Sequence, residues 1–422
     1  MKIVYFSTKV DFCKETSTKS NDSALETRRS PSAPDYLQAS RKPHKKMFQT
    51  WNLRACKGRH SSFQKYASKD ETLSSEIGFL ASLKLELAYF GGRAWLKGPG
   101  TGGAGVILRF ERVRPRRAAR FQPLKASEIT PGFLDRTIRA LKRWKYEIIP
   151  IDEVCRRAVT LASRRRFACL TFDGGYKDVI TSAYPVLSRY GVPFTVYVPT
   201  AFPDGIGEPW WLALEQMIAR ESRVSLVMSR EERHFDIAAT AEKIQLYDFL
   251  WQWMRSLAPS DLSAAIRDLC TRYAINLAAL SREASLDWND LARLAADPLV
   301  TVGTATVNYP VLSNLKDEAA MRELNMGRAV AETALQRSVR HFAYPFGDRA
   351  SFQRKHAIMA EEAGFVSAVS AIPGVVEAEG RTSLHALPRI SWDGRRRSLR
   401  AMRVILSGAM FPAAKRAPDA LH

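Results

Sequence analysis

The chain has 422 residues, 46% of them hydrophobic, which is enough to bury at least one sizeable core and excludes a fibrous polypeptide. Lysine and arginine number 64 against 43 aspartates and glutamates; the resulting +21 is scattered in short runs such as Arg395, Arg396 and Arg397, and without a helix-turn-helix, zinc-finger or base-stacking signature it does not predict a nucleic-acid partner. The 5 cysteines are odd in number and have no C-x-x-C spacing, so neither a disulfide framework nor a zinc ribbon is indicated, and no run of about eighteen apolar residues predicts a membrane span.

Residues 1–76 are rich in Ser, Thr, Lys and Arg without helical or strand period, and read as a disordered basic extension. The opening MKIVYFSTKVDFCKE has an apolar run broken at Lys9 and Asp11 and no small-residue cleavage site, so it makes a poor signal peptide and a reducing, cytoplasmic location is expected. A mildly apolar helix over 75–95 leads through the Gly-rich GPGTGGAG into a strand over 105–110. Those glycines lack the G-x-G-x-x-G order before a helix, so no dinucleotide site is expected. Thr130 and Pro131 mark a helix start, with Phe133, Ile138 and Leu141 on its apolar face, and a short strand follows over 146–150.

From there the pattern alternates: strand 167–172, helix 179–190, strand 194–198, then strand 300–302, helix 317–335, strand 341–344, helix 354–363 and strand 365–371. Alternating units of this kind predict a parallel sheet or α/β barrel, whose active sites gather where strands end. A mostly helical insertion is expected between about 205 and 297, and carries Trp210, Trp211, Trp251, Trp253 and Trp288. Trp251 and Trp253 sit in helical spacing and read as core. Trp210 and Trp211 follow Pro209 in a polar stretch and are the better candidates for a cleft wall that stacks on sugar faces.

Three segments have a family likeness. LTFDGGYKDVITSAYPVLSRYGVPFTVYV (170–198), VTVGTATVNYPVLSNL (300–315) and HFAYPFGD (341–348) resemble, in order, spacing and flanking words, the three motifs of the polysaccharide deacetylases, the carbohydrate esterase group that includes the nodulation-type chitooligosaccharide deacetylases. The resemblance spans roughly residues 85–405. It implies a distorted (β/α) barrel over 77–410, interrupted by the helical insertion and flanked by the extension and a tail at 411–422. It also implies a hydrolase of carbohydrate metabolism that removes acetyl groups from sugar polymers, at C–N bonds other than peptide bonds, with one divalent metal, commonly zinc.

The likeness makes Asp173 the catalytic base of a motif that usually reads T-F-D-D-G. Gly174 then stands where the second aspartate binds metal, and Ala305 and Tyr309 stand where the two histidines of H-[ST]-x-x-H do so. Glycine and alanine carry no donor, and a phenol with an ordinary pKa near 10 resists ionisation, so no metal ligand set and no cofactor are expected. A bound ion lowers the pKa of its water from about 15.7 to about 7. Without one, a carboxylate of pKa near 3.9 is far too weak a base, and the family reaction is expected to be impaired.

By the same resemblance Tyr344, Pro345 and Phe346 shape the sugar groove, and Arg389 either orients Asp173 or forms a structural ion pair. His385 lies near the family's general-acid position but in a poor context, and reads as a surface histidine; Glu111 stands loosely where relatives show histidine. None of the 7 histidines lies at i, i+3 or i, i+4 from another, so a replacement metal site needs distant strands. Three readings follow: an impaired deacetylase, a non-catalytic carbohydrate-binding or partner pseudoenzyme, or a decayed paralogue with no selected role. For the first two the expected ligand is a carbohydrate polymer or oligosaccharide, and nothing in the pattern sets an oligomeric state.

Overall fold

The computed structural model describes residues 103–160, 165–228, 231–395 and 398–407. The readings for 1–76, for the helix over 75–95 and for the tail at 411–422 lie outside these residues, as do Cys13 and Cys56.

Strand β1 (Gly105–Phe110) is followed by the short mutual pair β2 (Arg112–Val113) and β3 (Glu128–Ile129), and by β4 (Glu147–Ile148). Next come β5 (Phe167–Asp173), β6 (Phe194–Val198), the antiparallel hairpin β7 (Arg223–Met228) and β8 (Glu231–Asp236), then β9 (Val300–Thr304), β10 (His341–Ala343), β11 (Ser367–Val369) and β12 (Ile390–Ser391). The main sheet runs β11-β10-β9-β6-β5-β1-β12, with β4 also on β5, and all its pairs are parallel. The segment before β12 reaches toward the other edge, where Leu387 makes an isolated bridge to Val369 on β11, while Ile390 of β12 pairs with Leu108 on β1. The parallel sheet expected from the alternating pattern is therefore present, curled into a half-barrel with helices around it.

Period-two alternation sorts the side chains of these strands. On β5, Phe167 and Cys169 join one apolar cluster while Ala168, Leu170 and Phe172 join another; on β1, Ile107 belongs to the first and Val106, Leu108 and Phe110 to the second. The first cluster includes Tyr197, Val369 and Leu387 and continues into the insertion; the second lies under flanking helices such as Pro131–Arg143. That helix begins as the sequence predicts, with Pro131 in its first turn and the Thr130 side chain accepting a hydrogen bond from the Phe133 amide at 3.2 Å. Its fully buried Leu134, Ile138 and Leu141 each contribute about 1.5–3 kcal/mol of transfer free energy. Lys142 and Arg143 sit in its last turn, where cations meet the negative end of the helix.

The insertion holds the helices Trp210–Arg220, Thr240–Ser256, Pro259–Arg272, Leu277–Ala284 and Trp288–Ala296, and also the β7–β8 hairpin. A mostly helical segment was expected, and the hairpin is the addition. Val224, Leu226 and Met228 alternate buried with more exposed neighbours, a strand signature masked by the helical stretches around it. Cys155, Cys169 and Cys270 are buried free thiols. Among the described residues no helix is long and apolar enough to cross a membrane.

Candidate functional site

The C-terminal ends of β1 and β5, the loops after β9 and β10, and the insertion converge on a cavity of about 200 Å3. β5 delivers Asp173 as its last residue, and the chain then turns sharply through Gly174 and Gly175, at φ +92° and +59°. A Cβ at Gly174 meets the Tyr176 ring at 2.6 Å, so this turn takes glycine for both conformational and steric reasons.

Asp173 is 2% exposed and bound on both oxygens. Arg389 grips it bidentately, Nη1 to Oδ1 at 2.6 Å and Nη2 to Oδ2 at 2.7 Å, while Arg109 Nε donates to Oδ2 at 2.5 Å. Burial pushes the carboxyl pKa up, but the charges and hydrogen bonds of Arg389 and Arg109 outweigh it and hold the group below its ordinary value. Arg389 is itself fully buried, and also donates to the Ser370 carbonyl at 2.6 Å and to Thr171 Oγ1 at 3.1 Å. Arg109 reaches Glu111 with Nη2 at 2.7 Å and Ser391 Oγ with Nη1 at 3.3 Å.

The opposite wall is built on a second buried pair. Arg112 Nε donates to Asp178 Oδ2 at 2.5 Å and its guanidinium lies 4.2 Å from the centre of the Tyr176 ring. Tyr176 Oη in turn accepts from Trp211 Nε1 at 2.9 Å. Burial raises the Asp178 pKa, an effect that the Arg112 charge opposes.

Aromatic rings cover the rest. Tyr309, Phe346, Trp211 and Trp251 line the cavity, with ring centres 5.1 Å apart for Tyr309–Phe346, 5.7 Å for Trp211–Tyr309 and 5.9 Å for Trp251–Phe346. Arg255 lies over the Phe346 ring at 4.7 Å and donates to Asp348 at 2.7 Å. Tyr309 and Phe346 both have positive φ, +58° and +59°, a conformation that costs about 1–3 kcal/mol in a non-glycine residue and clusters at functional sites.

The structure thus brings Asp173, Arg389, Phe346 and Trp211 to one place. Trp210 opens the helix Trp210–Arg220 rather than lying in a loop; it is buried behind the lining, 4.9 Å from Trp251, and does not face the cavity. Tyr344 and Pro345 are also off the lining: Tyr344 stacks on Phe352 at 4.0 Å and donates to the His385 carbonyl at 2.7 Å. His385 is half-buried, with Nε2 2.8 Å from the Phe365 carbonyl, and it too lies outside the lining. Glu111 lines the cavity beside Arg109.

Arg109, Tyr176, Arg255 and Asp348 were not anticipated, and Trp251 lines the cavity although its spacing reads as core. One signal was available: in GVILRF, an arginine inside an otherwise apolar strand is a charge that must find partners when buried.

The donor set does not fit a divalent ion. Gly174 and the fully buried Ala305 offer no side-chain donor, and burial, with the Asp173 charge, pushes the Tyr309 phenol up to about 12. Asp173 already accepts three arginine hydrogen bonds. Among the described residues, no three His, Cys, Asp or Glu side chains are grouped so as to hold a metal.

No family model matches the chain, and no curated protein matches it. Among solved structures it is similar to the Streptococcus pyogenes deacetylase PplD in complex with acetate, at 15% identity and TM-score 0.44 over 68% of this chain and 92% of that one. It is similar to IcaB from Ammonifex degensii at 15% identity and TM-score 0.46, over 72% and 98% of the two chains. A polysaccharide deacetylase from Bacillus cereus aligns at 13% identity and TM-score 0.45, over 71% and 68%. Likenesses this distant leave the geometry of the cavity as the ground for a functional reading.

Proposed function

We propose that this chain is a polysaccharide deacetylase-like barrel whose cleft binds carbohydrate and whose metal-dependent acetyl hydrolysis is impaired. The observation that carries the reading is the state of Asp173. A general base must have a free lone pair within reach of the proton it takes and a pKa near the working pH. Asp173 accepts three hydrogen bonds from Arg389 and Arg109, which leave one of a carboxylate's roughly four lone-pair sites open, but its pKa is held below the ordinary carboxylate value, so without a metal-activated water it is a positioned counter-ion and a poor base.

Carbohydrate binding draws its support from the lining. Sugars present apolar C–H faces and a rim of hydroxyls, and the cavity pairs ring faces from Trp211, Trp251, Tyr309 and Phe346 with the hydrogen-bonding edges of Arg109, Glu111, Arg255 and Asp348. The ligand class that fits is a neutral oligosaccharide, because each arginine at the rim has a carboxylate partner: Arg109 with Glu111 and Asp173, Arg112 with Asp178, and Arg255 with Asp348.

Calorimetric titration of the full chain with a chitooligosaccharide, paired with an acetate-release assay on the same zinc-treated sample, tests both halves. Binding without acetate is the expected result. Steady acetate release in proportion to bound zinc would overturn the impaired-catalysis half, and no heat of binding with any chitooligosaccharide would remove the carbohydrate half.

A further inference from the structure

We infer that the guanidinium of Arg109 is the resident cation of this centre, and that it bars a divalent ion from the cavity even when metal-binding side chains are restored. The inference deepens the reading of the cleft as metal-free, and rests on it. Arg109 is built in on all three nitrogens: Nε to Asp173 at 2.5 Å, Nη2 to Glu111 at 2.7 Å, and Nη1 to Ser391 at 3.3 Å. Its side chain is only 11% exposed, so its charge is neutralised by these two carboxylates rather than by solvent.

A divalent ion held by donors restored at positions 174 and 309 would share the cavity with Arg109 and with Asp173, the one carboxylate of the motif that this chain keeps. Arg389 takes one edge of that carboxylate bidentately and Arg109 takes a further position on Oδ2. An incoming dication therefore faces two guanidinium groups across a single carboxylate, and like charges in a site of low dielectric repel strongly. Arginine cannot relieve the conflict by losing its proton, as a histidine or lysine can. The turn adds a second obstacle, since an aspartate at position 174 must adopt φ near +92° with its Cβ against Tyr176.

Restoring the donors alone therefore fails, and the residue that decides is Arg109. The experiment is a zinc titration by calorimetry on three full-length proteins: the unaltered chain, the triple variant Gly174→Asp, Ala305→His and Tyr309→His, and that variant carrying Arg109→Met as well. Near-UV circular dichroism reports on folding. Stoichiometric zinc in the fourfold variant alone, at least about tenfold tighter than in the triple, is the expected result. Equal zinc affinity in triple and fourfold variants, stoichiometric zinc in the unaltered chain, or a folded fourfold variant without zinc each overturns the assignment.

Should the fourfold variant not fold, the single substitution Arg109→Ala decides, because it opens a hole between Asp173 and Glu111 without adding a group. Methylguanidinium chloride at millimolar concentration is expected to raise the melting midpoint of Arg109→Ala above its value in equal sodium chloride, and to leave the unaltered chain unmoved. Identical shifts in the two proteins overturn the proposal. Chitooligosaccharide binding measured on the same samples reports separately on the carbohydrate reading, which can fail while the cation assignment stands.

Discussion

Arg389 is the largest side chain in the described protein with essentially no exposed surface, and its charge is tolerated only because Asp173 meets it edge to edge. Removing one member of such a pair leaves the other charged in a dry site, at a cost of about 3–5 kcal/mol. Asp173→Asn and Arg389→Leu are each expected to lower the urea-unfolding free energy by about that amount, and the double variant by less than their sum. Strict additivity would sink the pairing. The Asp173 carboxyl is depressed in the fold, so its contribution is complete above the unfolded value near 3.9 and fades as the pH falls through the lower folded value. His356 acts in a different window. It is buried, its Nδ1 accepts from the Gln353 amide at 2.9 Å, and burial, with the nearby Lys355 charge, lowers its pKa to about 4. The unfolded chain binds that proton near 6.5 and the folded chain does not, so stability is whole above about 6.5 and lost as the pH drops toward 4. Melting midpoints from pH 7 to 4 are expected to fall less steeply in His356→Gln; parallel curves would remove His356 as the cause.

Among the elements, the helix Thr240–Ser256 links packing to the cleft. Leu246, Tyr247, Leu250 and Met254 form its buried stripe, and Trp251 stands one position aside from Leu250, at the border between stripe and cavity. That offset explains why spacing alone reads Trp251 as core: a ring beside an apolar stripe looks the same in sequence whether its outer face meets protein or an open groove. Trp251→Ala is expected to weaken chitooligosaccharide binding by about tenfold, as loss of a central aromatic contact does. Unchanged affinity would show that the ligand does not reach this wall. The β7–β8 hairpin was also illegible as such, because a six-residue alternation between long helices is a weak signal.

At the scale of the whole molecule, the alternating strands and helices made the parallel sheet legible, and LTFDGGYKD marked the strand end where the cavity lies. The partners of Asp173 were harder to read. Arg389 came from a family likeness, while Arg109 lies on a neighbouring strand 64 residues away and becomes its partner only through the β1–β5 register, in which it stands beside Thr171. Sheet register is a property of the folded whole, so no local pattern announces it. A long-range prediction follows for Gly174: alanine there keeps the turn only with strain and a shift of Tyr176, and is expected to cost at least about 1 kcal/mol by urea unfolding. A neutral Gly174→Ala would mean that the turn relaxes freely.

The clasp between Arg389 and Asp173 joins positions separated by 216 residues, and it links the end of β5 to the segment that leads into β12, on either side of β1. Contacts of such sequence separation carry a large loop-closure cost and belong to the end of the folding route. The pair is therefore expected to act as a late fastener, contributing to the native protein and little to the transition state. Loosening it should leave the refolding rate nearly untouched while hastening unfolding, so that the clasp governs how long each molecule stays closed rather than how fast it closes.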